Sequence, residues 1–222
     1  MAKSEAAPTD AYELLHWNMK LAHLTYELGY KNIIPLLDNP PLDDLKNFLG
    51  YCEAWGDSIV HHHDTEEATV FPVLNQKMDF SHEQEQHVQV HKFLDEFLAT
   101  VRAAQADHSK FDPKALKALM EGASTVMFDH FNEELTHIEP DKFRAAGFTE
   151  AECRTLVDGM VAHAKTQGDP FLVVPFMRCH TPPEWKVAFP PGLAWPLRKV
   201  VIPYLLAKRY SGYWKYGTYP VS

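Results

Sequence analysis

The sequence predicts an all-α protein: an up-down antiparallel four-helix bundle, a short fifth helix, and a C-terminal tail rich in proline and aromatic residues. Three observations carry this. Over the first 165 or so residues, apolar side chains recur at helical spacing. Short turn signals separate these stretches, and short connections make neighbouring helices antiparallel. No segment of any length alternates polar and apolar residues as a half-buried strand does. The composition agrees: 222 residues, 45% hydrophobic and 23% charged, can bury a core without cross-links.

Asp10 is placed to cap the first helix, with Glu13 three residues on. Pro35 is expected to end it near Ile34. PLLDNPP is the connector. Pro41 then suits the first turn of helix two, with Asp43 and Asp44 near its positive end, and the helix runs to about Leu74. Ser81 and Gln84 form a capping-box signature for helix three. Asp112–Pro113 reads as the cap and first-turn proline of helix four. Thr149 and Glu152 repeat the capping box for a fifth helix ending near Gly168. The chain is thus expected to divide into residues 1–168, the bundle with its fifth helix, and residues 169–222, an extension packed on it.

The extension differs in chemistry. Nine of the sixteen prolines fall between Pro170 and Pro220, and Leu193 to Tyr210 suits one or two helical turns around Pro196 and Pro203. From Glu184 onward there are six basic residues and one acidic, a balance of +5 against −14 for the rest. A basic tail is expected to lie over an acidic bundle. Its Trp, Tyr, Lys and Arg side chains also suit contact with a membrane surface or a partner.

Net charge is −9, which argues against a general nucleic-acid binder. Cys52, Cys153 and Cys179 are odd in number and widely spaced, so no disulfide framework is expected, and a reducing, cytoplasmic setting is the simple reading. Cys52 reads as a small core residue. MAKSEAAPTD has no apolar leader, and no run is long enough to predict a transmembrane segment.

Thirteen histidines stand out. His62 to Glu66 with Pro72, and His130 to Glu134 with Pro140, match as H-x-x-x-E-x5-P. Positions i and i+4 share one helix face, so each pair can bind one metal ion or bridge two. Between them lies the pair His87 and His91. His62/Glu66 falls about 14 residues before a turn near Met78 and His87/His91 about 11 after it; a turn near Ser109 similarly levels His87/His91 with His130/Glu134. Antiparallel packing therefore brings three pairs to one level. His61, His63 and Glu67 lie off the His62/Glu66 stripe and are expected to face solvent or to back the ligands. His82, His108, His163 and His180 lack matched partners and read as surface or structural. On helix one, His16 and His23 share a face: simple register favours His16, and an extended connector moves the level toward His23.

Five imidazoles and two carboxylates are too many for one structural zinc, which takes four ligands. Calcium and magnesium prefer oxygen alone. The mixed set suits iron, manganese, zinc or copper, as two ions bridged by Glu66 and Glu134.

These residues resemble hemerythrins and hemerythrin-like (HHE) cation-binding proteins, whose pattern is a His on helix one, HxxxE on helix two, HxxxH on helix three, and His plus a carboxylate on helix four. Here those positions are His23, His62/Glu66, His87/His91 and His130/Glu134. The segments MKLAH, GYCEAW, HHHDTEEATVFP and EQHVQVH, with KRYSGYW in the tail, resemble the branch common in fungi. In that branch M-x-L-x-H supplies the helix-one ligand, which selects His23. The resemblance implies the fold, this ligand set and two iron ions; dioxygen as their ligand is expected from an open position on a histidine-rich pair. It departs at Leu135, where oxygen-carrying hemerythrins place an aspartate; the carboxylate here is Glu134, one residue earlier.

Three functions follow as expectations. The first is dioxygen binding for sensing, storage or delivery, favoured because an imidazole-rich set gives the metals less negative charge than a carboxylate-rich one. The second is a di-iron oxygenase, oxidase or peroxide-reducing enzyme acting on a small molecule, with Trp17, Tyr26 or Trp55 shaping a cavity. The third is metal homeostasis or a metal-dependent switch, since convergence of seven ligands makes metal binding part of folding.

Overall fold

The structure is a computed structural model and describes residues 6–222. The leader reading above begins on residues 1–5, which lie outside the described residues. Among the described residues every regular element is helical. None of the helices is long and apolar enough to cross a membrane.

Four long helices form the bundle: α1 (Ala11–Asp38), α2 (Leu45–Thr65, continued through Leu74), α3 (Ser81–Ala106) and α4 (Pro113–His137). Neighbours run antiparallel. On α1 and α2, Asn32 meets Tyr51 and His23 meets His62. On α2 and α3, Glu53 and Asp57 hold Arg102, and Glu67 holds His87. On α3 and α4, Glu83 pairs with His137 and His87 with His130. Lys117 on Asp38 and Glu134 near His23 close the square between α4 and α1.

Several predicted ends form as the local chemistry requires. The Asp10 carboxylate accepts from the Tyr12 N–H. Asp112 accepts from the N–H groups of Lys114 and Ala115, ahead of Pro113. The Thr149–Glu152 capping box is complete. Three ends differ. Pro35 does not stop α1, which continues to Asp38. Proline costs one hydrogen bond and crowds the carbonyl four residues back. Here that disturbance falls on an exposed face of the last turns, while Ile33 and Leu37 are buried on either side and anchor the helix. Pro41 precedes a single tight turn, Leu42–Asp44, and not α2 itself. Ser81 does not cap α3: Asn75 and Asp79 accept from the Phe80 and Ser81 N–H groups, and the Gln84 amide is drawn away to Glu67.

Beyond the bundle come α5 (Pro140–Ala145), α6 (Glu150–Ala164) and α7 (Val173–His180). The first and last were not anticipated. α6 ends four residues before Gly168, whose φ of +67° turns the chain. The helical turns around Pro203 span Leu197–Leu206 and Ala207–Arg209. The extension lies on the bundle: Trp214 is buried, the Tyr213 ring packs directly on Gly50, and Asn32 donates to the Tyr216 carbonyl.

The apolar core is not continuous. One cluster takes Leu21–Leu37 of α1, Phe48–Ile59 of α2, Val90–Ala104 of α3 and Leu116–Phe131 of α4. A second takes Ala11–Met19, Val70–Phe80, Ile138 and the inner face of α5 and α6. On α2, α3 and α4 the residues between the clusters are His62–Glu66, His87 and His130/Glu134. A slice of polar residues thus crosses the bundle interior.

Candidate metal centre

The slice is built where all four bundle helices turn a donor inward. α2 contributes most, and its geometry changes there. Over Glu66–Val70 it widens into a π turn, in which the Phe71 N–H reaches the Glu66 carbonyl. Pro72 supplies a reason: it has no N–H for the carbonyl of Ala68, and its ring crowds that carbonyl, so a wider turn relieves both. Such turns recur at functional sites.

Two donor groups result. His23, His62, Glu66 and Glu134 offer ligand atoms all within 4.8 Å of one another, and His63, Glu66, His87 and His130 do the same. Glu66 belongs to both. Two contacts join nitrogen to nitrogen: His23 Nε2 to His62 Nε2 is 3.2 Å, and His87 Nε2 to His130 Nε2 is 3.1 Å. Glu66 places one oxygen 3.1 Å from His62 Nε2 and the other 3.5 Å from His87 Nε2.

Every member except His62 is buried, and His62 is only partly exposed. Both oxygens of Glu66 and of Glu134, and both ring nitrogens of His63, are buried without a hydrogen-bond partner. A buried carboxylate without donors is costly. A cation bound among these atoms meets that need, so the residues present fit a pair of metal ions.

Burial favours the metal-binding form of three of the imidazoles. Burial pushes His62 and His63 well below the usual imidazole range, and His130 down to about 3. Neutral imidazole is the form that binds metal. Burial, then the Glu134 charge, drives Glu66 well upward. Burial raises Glu134 as well, but the His23 contact and neighbouring imidazoles outweigh it and hold Glu134 down at about 2.

Partners behind the ligands fix the rings. His87 Nδ1 lies 2.9 Å from Glu67 Oε1, and His130 Nδ1 lies 3.2 Å from Gln86 Oε1. Each contact turns the ring's Nε2 inward.

Six of the seven predicted ligands gather here: His23, His62, Glu66, His87, His130 and Glu134. His16 does not. His91 does not join them either. It lies one turn beyond His87, 28% exposed, with Nε2 3.9 Å from Asp64 on the outer flank of α2. The place facing His87 is taken by His63, which is fully buried and stacked on the His87 ring at 4.2 Å. Sequence reasoning set His63 aside because it lies off the His62/Glu66 stripe. The signal available was the doubling of His62–His63 and Glu66–Glu67. Adjacent residues stand about 100° apart on a helix, enough to address two sites at once. Glu67 backs His87, as its position off the stripe allowed.

A cavity of about 200 Å³ touches the centre at His62. Tyr26 lines it, and α6, α7 and the extension wall it; Trp17 and Trp55 are not among its lining residues.

A family model, the hemerythrin HHE cation-binding domain, matches residues 16–141. The chain belongs to the hemerythrin HHE cation-binding family. The HHE match spans all four bundle helices and all seven gathered donors, and it stops before α6 and the extension. No curated protein matches the chain. No solved structure matches it.

Proposed function

We propose that this HHE protein holds two iron ions, sharing Glu66, and binds dioxygen there for sensing, storage or delivery. The observation that carries the reading is the pair of four-donor groups with Glu66 common to both. His23, His62 and Glu134 complete one ion's protein ligands; His63, His87 and His130 complete the other's. Bound iron supplies reversible dioxygen chemistry, which an imidazole-rich set favours. The chain's own part is to keep His62, His63 and His130 neutral by burial, to orient His87 and His130 through Glu67 and Gln86, and to keep bulk water out.

Anaerobic loading with ferrous iron, metal counting, and optical spectra as oxygen is added and removed test the proposal. About two irons per chain, with a visible band that vanishes on degassing, support it. One iron or none overturns it. A band that decays irreversibly favours a second reading, a di-iron oxygenase, oxidase or peroxide-reducing enzyme, which the cavity at His62 supports.

The extension is further proposed to touch an anionic membrane surface. Trp195, Val200, Tyr204 and Leu205 are exposed among Arg198, Lys199, Lys208 and Arg209. Cosedimentation with anionic vesicles and not with neutral ones is expected; equal recovery with both removes the idea.

A further inference from the structure

The cavity beside His62 is built largely by parts of the chain that the metal centre does not use. Met160, Val161 and Ala164 of α6, Met177 of α7, and Phe189 and Leu193 of the extension wall it, and all lie beyond the matched residues 16–141. The bundle supplies its floor, with Tyr26 and His62 side by side, ring centroids 5.2 Å apart. His62 is also the one donor of the centre that is not fully buried. The cavity therefore meets the centre at its exposed flank.

Its size and chemistry restrict what enters. An apolar cavity of about 150 Å³ takes a benzene-sized ligand. The space here is about 200 Å³, room for a ring with a short chain or for an aliphatic chain of similar bulk. The chain as a whole is acidic, at −9, yet no Asp or Glu lines the cavity. Its one Lys is Lys165, exposed at the rim, where its amine lies against Gly192 of the extension. Gly192 has φ +72°, and a Cβ added there would come within 2.7 Å of that amine. The close approach of Lys165 to the extension thus depends on glycine.

We propose that this cavity binds a small amphiphilic monocarboxylic acid, aromatic or short-chain, whose apolar body packs beside His62 and whose carboxylate meets Lys165 at the rim. Its meaning as a substrate site rests on the di-iron reading; its existence as a binding site does not.

Calorimetric titration of the full chain with 4-phenylbutyrate and with its neutral counterpart 4-phenylbutanol tests this, on iron-loaded and on metal-free protein. One site per chain is expected, with the acid bound about fivefold more tightly than the alcohol. Lys165→Glu should weaken the acid by about fivefold or more and leave the alcohol nearly unchanged. Ala164→Phe fills the space from an exposed wall position and should abolish binding of both, with helicity and iron content unaltered. Saturating acid should shift the optical band of the iron-loaded protein through its packing on His62. Equal affinity for alcohol and acid overturns the ligand class. Undiminished binding by Ala164→Phe overturns the location. Two irons per chain with no titratable heat up to about 10 mM overturns the site altogether. Failure to load iron with phenylbutyrate binding intact overturns the metal reading and leaves the cavity assignment standing.

Discussion

Replacing His63 of α2 and His91 of α3 separately by leucine separates the two candidate donors beside His87, and the metal-free protein gives the sharper result. His63 is 0% exposed and both its ring nitrogens lack a partner. Each unsatisfied buried polar atom costs about 1–3 kcal/mol. His63→Leu removes two of them. Imperfect fit of the branched side chain against the His87 ring returns up to about 1.5 kcal/mol. Metal-free His63→Leu should therefore be more stable than the parent by at least about 0.5 kcal/mol, a rise in Tm of at least about 1–2 °C for a chain of this length. With metal present the sign reverses. One ion should be lost from the count, and with it the stabilisation that a bound ion confers, about 2.7 kcal/mol at a hundredfold excess over Kd. His91→Leu should change neither the metal count nor the metal-free Tm appreciably, because His91 stands on the flank near Asp64. Metal counting with thermal melts of the two forms is the assay. Loss of metal from His91→Leu with a full count in His63→Leu would refute the reasoning.

Other outcomes follow from the same geometry. Glu67→Gln removes the charged acceptor behind His87 and should weaken metal binding about 10–100-fold without abolishing it, read by competition with a chelator. His180 is buried against Tyr51 and the Phe176 carbonyl, and burial lowers it to about 4. Its unfolded value is 6.5, so the unfolded chain binds the extra proton first, and stability is lost as pH falls from about 6.5 to 4, by up to about 3 kcal/mol. Denaturant titrations across that range should show a shallower slope for His180→Gln; an unchanged slope would remove His180 from the account. Gly50→Ala drives a methyl into the Tyr213 ring, so the extension should lift away and become open to proteolysis while the bundle helices survive.

The legibility of the fold followed the range of the interactions involved. The Asp112 cap and the Thr149–Glu152 box are settled within three residues, and each forms as read. The Ser81 cap fails because its competitors, Asn75 and Asp79, arrive from the preceding loop. α7 escaped notice because it is eight residues long and holds Pro175. At the centre, spacing marked which helix turns carry donors. It did not give the rotation of α2 about its axis. That rotation decides between His63 and His91, and only the packed bundle shows it.

The polar slice between the two apolar clusters bears on cooperativity. Each half of the bundle has its own buried contacts, Trp55 and Phe97 on one side, Phe71, Phe80 and Phe143 on the other. Between them lies the layer of carboxylates and imidazoles, in which Glu66, Glu134 and His63 lack partners of their own. Without ions the halves are expected to open separately and to exchange amide hydrogens at different rates, which hydrogen exchange on the metal-free protein checks. With ions bound, donors from four helices would be tied across the seam, and the halves are expected to melt as one. Loss of metal would then be felt at both ends of the bundle, because it changes how far one end senses the other.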